Sequence, residues 1–179
     1  METAMRAAIA AAIATVAPAL HLDADLVTAV SYRELIDGKL VSATNADGSR
    51  DWGALQVNGA VWRLCQRQWG GRWANVTPQD LVDDPELGVE AGCRILRWRV
   101  FEALTAEGIA VPRSYGRPNY EAMSKIVAGL KPQARRGVYY RAVAAYRGGD
   151  VAMRDWPNVD PVTVIYTGLV LREYERLTE

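Results

Sequence analysis

Apolar residues recur at helical spacing along most of the chain. Ile9, Ile13 and Val16 stand three to four residues apart inside an alanine-rich run. That stripe predicts an amphipathic helix over about 3–17, which Pro18 should end. Leu26, Val27 and Val30 continue the spacing and predict a second helix over about 24–35, with Asp23 or Asp25 as its cap. The helical period then lapses from Lys39 to Trp52. In its place stands the turn signal Asn45-Ala46-Asp47-Gly48-Ser49, and Asp-Gly between short extended pieces predicts a small β-hairpin. Helical spacing resumes over about 59–69, and Thr77-Pro78 marks a short helix with proline at its first position. Asp84-Pro85 opens a long helix to about Glu107, closed by Gly108. Gly116 and Pro118 mark a loop. Asn119 caps a helix to about Leu130, Pro132 opens one to about Arg147 that Gly148-Gly149 should stop, and Asp160-Pro161 opens the last, to about Leu177.

The expected fold class is therefore mainly α: a helical bundle with one small β-hairpin, in a single domain over residues 1–179. No internal repeat, low-complexity tract or long linker interrupts it. Half of the residues are hydrophobic, and 21 basic residues balance 21 acidic ones. That balance argues against nucleic acid as a partner, which calls for a basic excess or stripe. His21 is the sole histidine, which excludes a His-rich zinc site. Cys65 and Cys93 fit no metal-ligand spacing and read either as two buried thiols or as one disulfide, the thiols being favoured. No uncharged apolar stretch reaches the length of a membrane span. The run Ala7–Ala19 behind Arg6 has two readings, a weak export signal or the first helix of the domain. Glu2, Pro18 and the helical spacing favour the helix.

Two carboxylates stand where the pattern does not call for them. Glu34 follows Val27 and Val30 at i, i+3, i+7, so it shares their apolar face. A carboxyl group placed there suits a general acid. The plainer alternative is a helix-end glutamate that reaches solvent or pairs with Arg33. Asp51 lies just past the hairpin turn, where a strand folding back over the helix end would bring it across a cleft from Glu34. Glycosidases use two such carboxyl groups, roughly 5 Å apart in retaining enzymes. The alternative for Asp51 is a turn aspartate that bonds its own backbone.

Together, Glu34 and the stretch Asn45-Ala46-Asp47-Gly48-Ser49-Arg50-Asp51-Trp52-Gly53-Ala54-Leu55-Gln56-Val57-Asn58 resemble the active-site region of C-type lysozymes. They also resemble the small lytic transglycosylases of bacterial secretion systems and phages. Further downstream, Asp84 to Gly92 is similar to the transglycosylase helix that packs behind the site. Ala144-Ala145-Tyr146-Arg147-Gly148-Gly149 is similar to that family's Ala-Tyr-Asn-x-Gly motif, and Tyr166 to Leu177 to its closing helix. Two positions depart from the pattern: Leu35 follows Glu34 where transglycosylases have serine, and Arg147 stands in place of the asparagine.

The resemblance implies a lysozyme-like α+β domain that cleaves the MurNAc-β-1,4-GlcNAc bond of peptidoglycan, by hydrolysis or by transglycosylation to 1,6-anhydroMurNAc. Glu34 would be the acid, and Asp51 the nucleophile or charge stabiliser. Gly53 would let backbone approach the sugar. Ser49, Gln56 and Asn58 would bond its polar groups. Trp62 would offer a flat face to a pyranose ring, unless it is a core aromatic, and Tyr146 would lie near the acid. No metal or cofactor is required. The expected partner is the peptidoglycan glycan strand, with no nucleic acid, no stable membrane insertion and a monomeric chain. The expected setting is the periplasm or cell wall, reached by phage-type delivery after synthesis in the cytoplasm without a cleaved signal. The competing readings are a catalytically inactive lysozyme-like module that holds peptidoglycan, and a helical structural or nucleic-acid-binding protein.

Overall fold

The computed structural model describes residues 2–36, 42–44, 48–156 and 158–179. Among these, eight α-helices and two small antiparallel sheets form one mainly helical fold. Helix α1 (Glu2–Ala19) buries Ile9, Ile13 and Val16, the stripe its spacing predicts. It continues past Pro18. So near the end of the helix the ring forfeits only the bond to the Ala14 carbonyl. The terminus is closed by His21, which takes a left-handed φ of 57°. His21 and Leu22 donate their amides to Pro18 and Ala17, the paired bonds of a Schellman cap. Helix α2 (Ala24–Ile36) follows at once, capped by Asp23 rather than Asp25: its Oδ1 accepts from the Asp25 and Leu26 amides. The other oxygen of Asp23 accepts from Tyr139 at 3.0 Å and Tyr174 at 2.9 Å, so one carboxylate ties three helices.

The β region is larger than the expected hairpin. Strands β1 (Ser42–Thr44), β2 (Arg50–Trp52) and β3 (Val57–Asn58) form a three-stranded antiparallel sheet with β2 in the centre. The turn residues Asn45, Ala46 and Asp47 lie outside the described residues, as does Lys39–Val41. Helix α3 (Gly59–Trp69) leaves β3 directly, with Asn58 as its cap. A 3-10 turn over Gly71–Asn75 follows. The short helix expected at Thr77 starts later, as α4 (Asp80–Asp83). There Asp80 accepts bonds from the Thr77 amide and hydroxyl, so the chain turns before it coils.

Helix α5 (Pro85–Ala106) is the axis of the fold. Asp84 caps it with bonds from the Glu86 and Leu87 amides. It is buried on nearly every side and packs on α1, on α4 and on α7 (Pro132–Asp155). Residues read as a loop carry a second hairpin, β4 (Arg113–Ser114) with β5 (Arg117–Pro118). Tyr115 and Gly116 between them both have positive φ, as a tight two-residue hairpin turn requires. Helix α6 (Tyr120–Gly129) is capped by Asn119, and α8 (Pro161–Thr178) by Asp160.

Helix α7 departs from its expected end. Gly149 breaks it with φ 68° and ψ −156°, and the chain resumes helical geometry to Asp155. Gly148-Gly149 is thus a kink within the helix. Its far arm is fixed by Asp150, which pairs with Arg99 on α5 at 2.6 Å.

Two apolar clusters result. The larger joins α1, α2, α5, α6, α7 and α8. The smaller lies under the sheet, where Trp62, Trp69 and Trp73 meet edge to face with centroids 5.0–6.0 Å apart. Such pairs add about 0.5–1.5 kcal/mol each beyond their burial. Cys65 and Cys93 are free thiols. Among the described residues, no helix is long and apolar enough to cross a membrane.

Candidate active site

The end of α2, the three-stranded sheet, the middle of α5, the kink of α7 and the start of α8 enclose a groove of about 580 Å³. Glu34, Ser49, Asp51, Gln56, Asn58 and Tyr146 all line it. Six of the eight residues singled out in the sequence therefore share one cavity, although they span 34–146 in the chain.

Glu34 arrives there because α2 presents Val27, Val30 and Glu34 on one face. The two valines are fully buried, which leaves the glutamate half-buried at the edge of the same apolar stripe. The Tyr166 hydroxyl on α8 donates to Glu34 Oε1 at 2.5 Å. Burial first, and the Glu34 charge second, push the Tyr166 pKa far above its ordinary value. The phenol therefore stays protonated and remains a donor.

Asp51 is placed by strand register. It sits opposite Asn58 in the β2–β3 pair, and residues directly opposite project to the same face. Asn58 Nδ2 accordingly donates to Asp51 Oδ1 at 3.0 Å and to Ser49 Oγ at 3.2 Å. The amide oxygen of Asn58 meanwhile accepts the Ala60 amide and starts α3. One asparagine thus fixes a carboxylate, a hydroxyl and a helix. Asp51 is 6% exposed, so its position is set by the sheet and not by solvent.

Gln56 follows a tight turn. Its amide and its Nε2 both donate to the Gly53 carbonyl, at 3.0 and 2.8 Å. Those two bonds hold Gln56 at a φ of 47°, a region costly for a residue with a side chain. Tyr146 reaches the same turn: its hydroxyl donates to the Leu55 carbonyl at 2.7 Å. Burial above all, then the Glu34 charge, raise the Tyr146 pKa well above normal, so it too remains a donor.

Two expectations are corrected. Trp62 is 1% exposed and packs inside the tryptophan cluster, so its face is not presented to the groove. Gly53 is buried behind the groove instead of lining it. Its φ of 71° and its closeness to Leu81, whose carbonyl oxygen would lie 2.4 Å from an added Cβ, explain the glycine. Packing against α4 is enough to require the glycine.

Sequence reasoning placed Tyr146 near the acid, where it does line the same groove, but missed Tyr166 as the hydrogen-bond partner of Glu34. The two residues are 132 positions apart, and no periodicity links them. It also missed Arg99, whose signal was available: an arginine at i+4 from Ile95 on the apolar face of α5. Burial pulls the Arg99 pKa down, but its bonds to Asp150 and Glu102 outweigh that and raise it. Arg147 and Asp160 complete the charged lining. Among the described residues, no three His, Cys, Asp or Glu side chains gather as metal ligands would.

Comparison of the chain with protein-family models, with curated proteins and with solved structures gives no match. A functional reading therefore rests on the groove and on the residues that build it.

Proposed function

We propose that this chain is a peptidoglycan-cleaving glycosidase of lysozyme-like fold that cuts the MurNAc-β-1,4-GlcNAc bond with Glu34 as general acid. The observation that carries the reading is the meeting of Glu34 and Asp51 in one open groove, each carboxyl group fixed by a dedicated donor. Cleavage of a glycosidic bond calls for such a pair around an oxocarbenium-like transition state. Glu34 gives its proton to the leaving oxygen and then serves as base. Asp51 supplies fixed negative charge, with Asn58 holding it against the sheet. Gln56, Asn58 and Ser49 form a polar wall fit for N-acetyl and hydroxyl groups.

The order of elements also supports the reading: a helix ending in the acid, a small sheet carrying the second carboxylate, then a buried helix behind both. This is the order that the resemblance to lysozymes and lytic transglycosylases implies. The glycan strand is the partner, the chain acts as a monomer, and the cell wall is its place of action. Phage-type delivery to the wall fits a compact lytic domain.

The test is digestion of purified peptidoglycan followed by mass spectrometry of the soluble muropeptides. Products ending in reducing MurNAc assign water as the acceptor. Products one water lighter, ending in 1,6-anhydroMurNAc, assign the sugar's own 6-hydroxyl. Intact glycan chains refute cleavage and favour a binding module.

A further inference from the structure

Among the described residues, five charged side chains line the groove, and four of them have their charges already engaged. Glu34 accepts from Tyr166. Asp51 accepts from Asn58. Asp160 takes the Thr163 amide on one oxygen and the Thr163 hydroxyl on the other. Arg99 is closed on itself by Glu102 and Asp150. The fifth is Arg147. It is exposed and faces no carboxylate among the described residues; its guanidinium lies 5.6 Å from the centroid of the Tyr166 ring.

That ring contact has a consequence. Stacking over an aromatic face steadies an arginine without neutralising it, and its donors stay available in plane. The ring in question belongs to the tyrosine that holds Glu34, so the free cation is positioned by the same side chain as the proposed acid. Two glycines follow: Gly148 packs closely against Ala152 and Thr163, whereas an added Cβ at Gly149 would meet nothing within 4 Å. Open space at Gly149 therefore lies two residues from the one cation of the groove that is uncommitted among the described residues.

We infer that Arg147 is a specificity residue that binds a carboxylate carried by the glycan, on the lactyl group of MurNAc or on the peptide attached to it. The inference rests on the muramidase reading and refines it: the preferred substrate is an anionic glycan, not a neutral chito-oligosaccharide. Arginine recognises a carboxylate by two parallel N–H bonds, which a lysine cannot reproduce. The departure from asparagine at this position thus adds a charge where the substrate has its own.

The experiment compares steady-state cleavage of three soluble glycans by wild type, Arg147→Gln and Arg147→Lys. One glycan carries stem peptides, one is stripped to free lactyl carboxylates, and one is stripped with those carboxylates converted to methylamides. Wild type should favour a carboxylate-bearing glycan over the amidated one about tenfold or more, through KM, as a charge-assisted bond implies. Arg147→Gln should bring that ratio close to one, and Arg147→Lys should restore it in part. Preference for the peptide-bearing glycan alone assigns the stem as the source; preference for the stripped acid assigns the lactyl group. A wild-type ratio near one, or a ratio unchanged in Arg147→Gln, overturns the inference while cleavage itself upholds the muramidase reading. No cleavage of any of the three refutes both.

Discussion

The groove depends on how closely α5 seats against the segment before it, and that seat can be tested with one methyl group. Gly88 faces Leu81 so closely that a Cβ there would lie 2.3 Å from the Leu81 carbonyl oxygen and 3.6 Å from the Ala54 nitrogen. Both neighbours are backbone, so no side chain can swing aside. In Gly88→Ala the helix gains about 1 kcal/mol of propensity. The overlap costs about 3 kcal/mol, the upper end for an overpacked site. The net loss of about 2 kcal/mol corresponds to a Tm lowered by about 4–8 °C in a chain of this size. Gly137→Ala in α7 is the matched control, because an added Cβ there meets nothing within 4 Å. It should show the propensity gain alone, a Tm raised by about 2–4 °C. Circular dichroism melts of the three proteins at one concentration measure both shifts. Cleavage should fall in Gly88→Ala as well, since Gly53 presses the same carbonyl from the turn that carries Gln56. If Gly88→Ala melts at or above the wild-type temperature while Gly137→Ala behaves as expected, the close seat of α5 is refuted.

Other outcomes follow from the same structure. Glu34→Gln should lower cell-wall turbidity clearance by about 10²–10⁴-fold with an unchanged melt, the range for loss of a general acid; near-wild-type clearance would remove Glu34 from the chemistry. Asp51→Asn should cost about 10²-fold if its charge stabilises the transition state, whereas a near-silent variant confines Asp51 to bonding within the sheet. Burial first, then the Asp23 carboxylate, raise the pKa of Tyr139 strongly and that of Tyr174 to about 12. Unfolded tyrosines release their protons near pH about 10, so above that pH the unfolded state binds fewer protons than the native one and stability falls. The contribution is full below that pH and is lost as pH rises toward and beyond 12; a Tm that stays flat across this window, or falls equally steeply in Tyr174→Phe, would contradict it. Burial raises the thiols of Cys65 to about 11 and Cys93 to about 12. Their thiolate fractions near pH 8 are therefore on the order of 10⁻³ or less, and Ellman's reagent should label both only upon unfolding.

The helix starts were legible because their signals are local. Asp84-Pro85, Asn119 and Asp160-Pro161 each place a side-chain acceptor one residue before the first helical position, and each caps its helix as expected. The Glu34 face was legible from spacing alone, because Val27 and Val30 carry the same stripe. What the sequence hid was set by distant packing. Nothing near Trp62 distinguishes a sugar platform from a core aromatic; its burial depends on Trp69, Trp73 and α5 closing over it. Gly148-Gly149 reads as a stop, yet the chain resumes helical geometry beyond it, where Ala152 is buried and Asp150 meets Arg99, 51 positions earlier. The pairing of Tyr166 with Glu34 has the same character: two elements brought together only by the fold.

That last pairing sets the order in which the site can come into being. Contacts between distant positions form late, since the chain must close a long loop before the contact rewards it. Glu34 waits for Tyr166, Asp23 for Tyr174, and Arg99 for Asp150. On the ribosome, domains emerge from the N-terminal end. A nascent chain that already displays both carboxylates still lacks the helix that fixes one of them. The groove is therefore complete only once α8 has joined the fold, and a product lacking α8 would carry every residue of the sheet without a finished site.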